Sequence, residues 1–464
     1  LPEGTELMCR QRCVVQDFVK QVVDAEFDVT AGIVGDRLYR LDAGDTTDSL
    51  YGVAVDIGTT TVVGTLMDLS TGRSLGVASR TNPQKSFGDD VISRIAFAGE
   101  SEDHPEQLQK AIVDCLNDIL RQLASTSGID TSAISLIGVA GNPTMNHLLL
   151  GIDVRPIGVG PYLAGNRAGL FCNAGELGLE VAAGTAVYVL PNISAFVGGD
   201  IVAVALATDL MHAEKLTLAL DIGTNGELML GTRERMLATS CATGPALEGA
   251  RIAQGMGAAD GAIDHVDITG GELVVSVLGN AEATGICGSG LFDIVAALLD
   301  AGIVDETGRM LDPGEHESLS QELASRLRKD DEGPYFVLVE EPNEVRLTQR
   351  DVREFQLAKA AISAGIGILL TEYGAAVEDI DEVLMAGAFG NYIRKSSALR
   401  VGILPAVDPD RVKFVGNAAS AGARRVLLDR GSLEDAERLS TWVTYVELGT
   451  RADFQMAFAE KMMF

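Results

Sequence analysis

From Tyr51 onward the chain settles into a regular texture. Short apolar runs rich in β-branched residues end at glycines and alternate with Ala/Leu-rich runs of helical period. That alternation predicts an α/β fold. Residues 105–125 read as an amphipathic helix, with Leu108, Ile112, Leu116, Ile119, Leu120 and Leu123 on one face. Residues 135–140 read as a buried strand stopped by Gly141-Asn142-Pro143. Further on, 290–301 and 352–373 read as helices and 382–386 as a strand ending at Gly387. Residues 312–345 are polar, with Asp-Asp-Glu-Gly at 330–333, and read as a surface excursion. The first 50 residues are mixed: a short helix over 14–23, one strand-like run over 30–41 and a linker at 44–48.

One pattern occurs twice. Residues 51–69 read YGVAVDIGTTTVVGTLMDL and residues 216–230 read LTLALDIGTNGELML. Each is an apolar strand, then Asp-Ile-Gly-Thr, then a second strand within about four residues. A βαβ unit would continue as a helix, so both copies are expected to be β-hairpins. At the tips, Gly58 and Gly223 let backbone approach an anion closely. The N–H groups and side chains of Thr59, Thr60, Thr61, Thr224 and Asn225, with Gly226, can serve phosphate oxygens. Asp56 and Asp221, at the strand ends, suit a hydrated Mg²⁺ that accompanies phosphates. The domain reading is a 1–50 remnant, a first lobe over 51–215 and a second over 216–464, with C-terminal residues able to pack back on the first.

Composition narrows the chemistry. The chain has 464 residues, a formal charge of −30, 47% hydrophobic residues and 52 glycines. It is globular and too long for one core. Its charge repels nucleic acid and anionic membranes, and neither is expected as a partner. No uninterrupted apolar run reaches 18 residues, no secretory signal opens the chain, and a cytoplasmic setting is expected. It begins at Leu1 and reads as a piece of something longer. Six cysteines are too few and too scattered for a disulfide framework, and the Cys9/Cys13 spacing is not a metal signature.

Three more stretches carry candidate chemistry. Gly198-Gly199-Asp200 opens a small-residue helix, where Asp200 could orient a water or serve as a plain N-cap. Residues 386–391 (Ala-Gly-Ala-Phe-Gly-Asn) form a strand–turn whose Gly387, Ala388, Phe389, Gly390 and Asn391 could lie against a purine or ribose. Residues 416–423 open another small-residue helix, a crossing partner for 198–207. The glycine-rich start at 285–290, with Gly288, could present helix N–H groups to phosphate.

This order of hairpin, connecting helix, hairpin, glycine turn and connecting helix resembles the actin-like ATPase superfamily of acetate and sugar kinases, heat-shock chaperones and actin. The strings DIGTTTVVGTLMDL (56–69), NPQKSFGDDVISRI (82–95), GVAGNPTMNHLLLG (138–151), DIGTNGEL (221–228), ATGPALEGARI (242–252), GICGSGLFD (285–293) and AGAFGNYI (386–393) more closely resemble the ATP-dependent reductive activators of corrinoid proteins. The resemblance implies a two-lobed actin-like ATPase with duplicated ribonuclease-H-like lobes, holding ATP and Mg²⁺ between the two hairpins. It implies catalytic roles for Asp56, Asp200 and Asp221, with Asp200 matching the carboxylate that opens the first connecting helix in the chaperones. It implies a corrinoid methyl-transfer protein as partner, reduced from cob(II)amide to cob(I)amide, and a homodimer. Members of the group carry an iron–sulfur domain, often a plant-type ferredoxin. This chain has no C-x4-C-x2-C run, so the electron donor is expected to be a separate iron–sulfur protein or a domain preceding residue 1.

Two other readings use the same residues: a small-molecule kinase on this fold, and a non-catalytic ATP-binding regulator. Lys85 could reach a phosphate and Arg94 could ion-pair near Asp89 and Asp90, or all four could form a solvated loop. His147 reads either as a packed residue or as a cobalt ligand, and Cys241 and Cys287 as small buried residues or redox groups.

Overall fold

The computed structural model describes residues 12–35, 37–182, 184–315, 319–387 and 393–464. Ala388, Phe389, Gly390 and Asn391 of the glycine turn lie outside the described residues, as does Cys9. The chain forms two compact units. The first comprises Leu1–Met211 with Ala418–Val443, and the second His212–Asn417 with Thr444–Phe464.

The first unit is built on a six-stranded sheet. Tyr51–Ile57 and Thr61–Asp68 form an antiparallel hairpin, and Arg73–Thr81 extends it antiparallel on the outer side. On the inner side Ile134–Gly141 pairs parallel with Tyr51–Ile57, and Ala186–Val189 pairs parallel with Ile134–Gly141. Leu170–Asn173 closes the far edge antiparallel. The second unit repeats the central order. Thr217–Ile222 and Gly226–Thr232 form the hairpin, with Arg235–Cys241 outside it. Glu382–Ala386 and then Val412–Gly416 add parallel strands inside it. The same five-strand order in both units makes the fold a duplication, as the echoed sequence predicts.

Helices cover these sheets because their apolar faces match the sheet surface. The helix His104–Ser127 stops at Gly128, whose φ of +70° suits a left-handed C-cap. Its six apolar positions named above are all buried in the first core. The helix Gln349–Tyr373 opens on a capping box between Thr348 and Asp351. It is long and apolar enough to cross a membrane, but 72% of its most apolar window is buried inside the protein, so it is a core helix of the second unit.

Two expectations change. Residues 30–41 are not one strand. Gly35 takes φ +64°, and Val29–Val34 pairs antiparallel with Arg37–Ala43. Residues 312–345 are not merely a surface excursion. Leu327–Asp330, Gly333–Val339 and Val345–Thr348 form a three-stranded antiparallel sheet, and Phe336, Leu338, Val345 and Leu347 lie in the second core. The acidic turn holds Asp331 and Glu332 outside, while Phe336, Val337 and Leu338 of the strand behind it are all buried.

Residues 418–443, within the stretch read as the second lobe, pack with the first unit. The helix Ala418–Leu428 crosses Gly199–Ala207 at very close range. A Cβ at Gly422 would stand 2.0 Å from the Ala203 carbonyl oxygen. The small residues of both helices are what permit this approach.

Candidate functional site

The first hairpin turns at Gly58-Thr59-Thr60. Asp56 pairs with Val63 across the hairpin and with Ala140 on the parallel strand. The Gly58 N–H donates to the Thr61 carbonyl at 3.0 Å, and a Cβ at Gly58 would stand 2.5 Å from that oxygen. Glycine is therefore required by close approach. The tip is fastened from inside. Asn82 donates from Nδ2 to the Gly58 carbonyl at 2.9 Å and from its backbone N–H to the Thr60 carbonyl at 2.8 Å. Asn142 Nδ2 donates to Thr59 Oγ1 at 3.1 Å. Arg94, wholly buried, donates from Nη2 to the Thr59 carbonyl at 2.6 Å.

The second hairpin is closed one residue more tightly and has different fastenings. Its turn is Gly223-Thr224-Asn225, and Asp221 pairs with Glu227 and, on the parallel side, with Ala386. The Gly223 N–H donates to the Asn225 carbonyl at 3.0 Å. Here one hydroxyl does the fastening: Thr243 Oγ1 lies 3.1 Å from the Gly223 carbonyl and 2.8 Å from that of Thr224. Thr224 Oγ1 in turn donates to Glu248 Oε2 at 3.2 Å. Gly226 abuts Thr243 and Ile362, where a Cβ would stand 3.0 and 3.1 Å away. Gly387 meets this hairpin from the neighbouring strand with φ +104°. A Cβ there would lie 2.6 Å from the Ile222 carbonyl and 3.1 Å from Asp221 Oδ1.

Asp200 is half-buried in the first turn of the helix Gly199–Ala207. It is not the N-cap, which is Gly198. Its Oδ1 accepts the Ile201 N–H at 2.8 Å. Burial raises its carboxyl to about 6, against the opposing pull of the backbone N–H groups of Ile201, Asp200 and Gly198.

The second unit also holds a cavity of about 280 Å³, lined by Asp293, Arg394, Ser397 and Arg400 over Ile268 and Ala297. Buried Asp293 accepts Ser397 Oγ at 2.5 Å, lies 2.8 Å from His265 Nδ1 and pairs with Arg394 Nε at 3.3 Å. Arg394 also donates to Asp267 at 2.7 Å. An apolar floor with fixed polar groups suits a flat, amphipathic ligand.

Other expected residues take structural places. Gly288, Ser289 and Gly290 are buried at the start of the helix Gly288–Asp300, and a Cβ at Gly290 would stand 2.1 Å from the Ile263 carbonyl. The glycines there serve helix–strand contact. Lys85 and Asp89 are exposed, and Asp90 caps the helix Val91–Glu100 through Ser93. Arg94 spends its guanidinium on the hairpin tip. His147 is fully buried, 2.6 Å from the Pro143 carbonyl through Nδ1, while Nε2 accepts the Asn166 N–H at 3.1 Å. Both ring nitrogens are engaged, and burial lowers its basicity. Cys241 is buried with its thiol pushed well above the ordinary range by desolvation. Cys287 Sγ rests on the Ile263 carbonyl at 3.2 Å. Among the described residues no group of three or more His, Cys, Asp or Glu is gathered for a metal. An Mg²⁺ carried on phosphates needs only a carboxylate and waters.

Asn82, Arg94, Asn142, Thr243 and Glu248 are the site residues that sequence reasoning did not single out in these roles. All lie within the quoted strings, yet each acts on a tip 19 to 83 residues away in sequence.

Comparison with known proteins agrees with this architecture. Residues 215–464 match the family described as the C-terminal domain of RACo, the ASKHA domain, and residues 51–213 match the RACo middle region. The corrinoid activation enzyme RamQ of Eubacterium limosum is 35% identical over 392 residues, 83% of this chain and 65% of that protein. The [Co(II) methylated amine-specific corrinoid protein] reductase of Methanosarcina barkeri is 26% identical over 394 residues, 77% of this chain and 66% of that protein. The chain thus spans about two thirds of the length of these relatives. A solved structure of a reductive activator for a corrinoid, iron–sulfur protein superposes with a TM-score of 0.88 at 35% identity, covering 98% of this chain and 73% of that one. Two adjoining family matches and one superposition, laid over a duplicated hairpin fold, lead to a single assignment: the chain belongs to the RACo family, and its second half is an ASKHA domain.

Proposed function

We propose that this chain is the ATP-hydrolysing part of a reductive activator that restores a corrinoid methyl-transfer protein from cob(II)amide to cob(I)amide. The observation that carries the reading is the pair of tight hairpin tips, each closed by its glycine N–H and each with an aspartate two residues before that glycine. Backbone N–H groups of Thr59, Thr60, Thr224 and Asn225 would serve the phosphates. Asp56 and Asp221 would hold Mg²⁺, whose role is to neutralise phosphate charge. Asp200 would orient the attacking water, and the 280 Å³ cavity lined by Asp293, Arg394 and Ser397 would take the nucleoside. In so acidic a protein the phosphates depend on Mg²⁺ and backbone amides rather than on lysines. The single electron comes from an iron–sulfur protein or domain outside these residues. A homodimer and a cytoplasmic setting complete the proposal.

The test is to mix the protein with a purified cob(II)amide protein, Mg²⁺, ATP and a low-potential chemical reductant, and to follow the visible spectrum. ATP-dependent appearance of cob(I)amide, lost in Asp56→Ala and in Asp221→Ala, is expected. Phosphate transferred to a metabolite would indicate a kinase instead, and wild-type turnover in both variants would remove the assignment.

A further inference from the structure

The string at 82–95 has no direct part in the chemistry above, yet two of its residues reach the first hairpin. The three consecutive carbonyls of the tip, Gly58, Thr59 and Thr60, are each held by them. The donors are Asn82 Nδ2 at 2.9 Å, Arg94 Nη2 at 2.6 Å and the Asn82 N–H at 2.8 Å. A trans peptide is planar, and its N–H points opposite to its C=O. Fixing these three carbonyls toward the interior therefore turns the N–H groups of Thr59, Thr60 and Thr61 the other way, as a set.

Arg94 is suited to hold the middle peptide. It is fully buried, and its other donors reach the Gly88 carbonyl at 2.9 Å, Gln84 Oε1 at 3.4 Å and Met145 Sδ at 3.3 Å. Burial lowers its guanidinium only to about 10, with Asp90 and Asp89 favouring the charge, so it is a cation at neutral pH. A charged donor polarises the Thr59–Thr60 peptide and makes the Thr60 N–H a stronger donor in turn. The planar fork also fixes orientation in a way a point charge does not.

We propose that Arg94 is a positioning residue, which with Asn82 aims the N–H groups of the first tip at the phosphates of ATP. This rests on the ATP reading. Arg94→Lys keeps the charge and loses the fork; Arg94→Met keeps the stem and loses the donors. Each is to be compared with wild type in binding of Mg·ATP, binding of adenosine, which has no phosphate, and hydrogen exchange of residues 58–61. The expectation is a loss of ATP affinity of about tenfold in Arg94→Lys and more in Arg94→Met, in line with loss of a hydrogen bond to a charged group. Adenosine affinity should stay at the wild-type value, and exchange at 58–61 should quicken. Unchanged ATP affinity in both folded variants would overturn the inference alone. Equal losses for ATP and adenosine would reduce Arg94 to a general structural role and overturn it as well. Wild-type protein that binds adenosine and ATP equally weakly would overturn the ATP reading itself. If Arg94→Met does not fold, Arg94→Lys alone carries the decision.

Discussion

The two hairpins share a strand order and a glycine N–H that closes the tip, although the first tip is one residue longer, and they stand in opposite electrostatic surroundings. The first is backed by a buried guanidinium that holds the Thr59 carbonyl. The second is backed by the neutral hydroxyl of Thr243, and a carboxylate, Glu248, bonds the Thr224 hydroxyl. A tip with a cation behind it suits a resting negative charge. A tip with a carboxylate beside it repels that charge but can accept a proton or orient a water. Duplication has thus supplied one strand order, and divergence at and behind the tips has made their surroundings different.

The strongest way to break this contrast is Glu248→Gln, which removes charge and keeps shape. Turnover of ATP is expected to fall on the order of 10²-fold, with KM for ATP unchanged or lower because a repulsion has gone. A raised KM with normal kcat would mean that Glu248 serves binding, and the contrast would fail. Next comes the steric difference between the two glycines. Gly58→Ala drives a Cβ to 2.5 Å from the Thr61 carbonyl, whereas at Gly223 the nearest atom, Glu248 Oε1, is 3.4 Å away. Denaturant unfolding should show a loss of ~1–3 kcal/mol for Gly58→Ala and under about 0.5 kcal/mol for Gly223→Ala. Thr243→Val should behave like Gly58→Ala in stability, costing ~1–3 kcal/mol, because two tip carbonyls lose their donor. The smallest effect concerns Asp200. Its carboxyl titrates at about 6 in the fold against an ordinary 3.8, so the folded protein holds that proton more tightly than the unfolded chain. Ionisation above pH 6 costs stability that is regained as pH falls toward 4. Asp200→Asn should therefore melt a few degrees higher than wild type at pH 8 and level with it near pH 4. A variant that melts lower at pH 8 would contradict the burial argument.

The legible parts of this molecule were those written locally. Asp-Ile-Gly-Thr between two apolar runs declares a hairpin in five residues, and doing so twice declares a duplication. The strands ending at Ala140-Gly141 and Ala386-Gly387 were legible as strands, but their parallel place beside each aspartate was not. The strand Gly333–Val339 was obscured by the acidic turn before it, whose charge outweighed the short apolar run Phe336-Val337-Leu338-Val339. Arg94 and Thr243 could not be assigned for a different reason. Their function is a bond to a backbone carbonyl distant in sequence, and a carbonyl has no letter in the sequence. The signal that would have helped was the oddity of an arginine within an apolar helix face, flanked by Val91, Ile95 and Ala98.

The crossing of Ala418–Leu428 with Gly199–Ala207 also sets a schedule. The first unit lacks one of its helices until residues 418–428 have been made, and by then the whole of 212–417 has been synthesised. During synthesis the first sheet must therefore wait with one face uncovered. The face that waits bears Gly138, which Ala423 and Leu427 will later cover. Chains halted anywhere between 212 and 417 should be the form that chaperones retain, and emergence of the helix Ala418–Leu428 should release them.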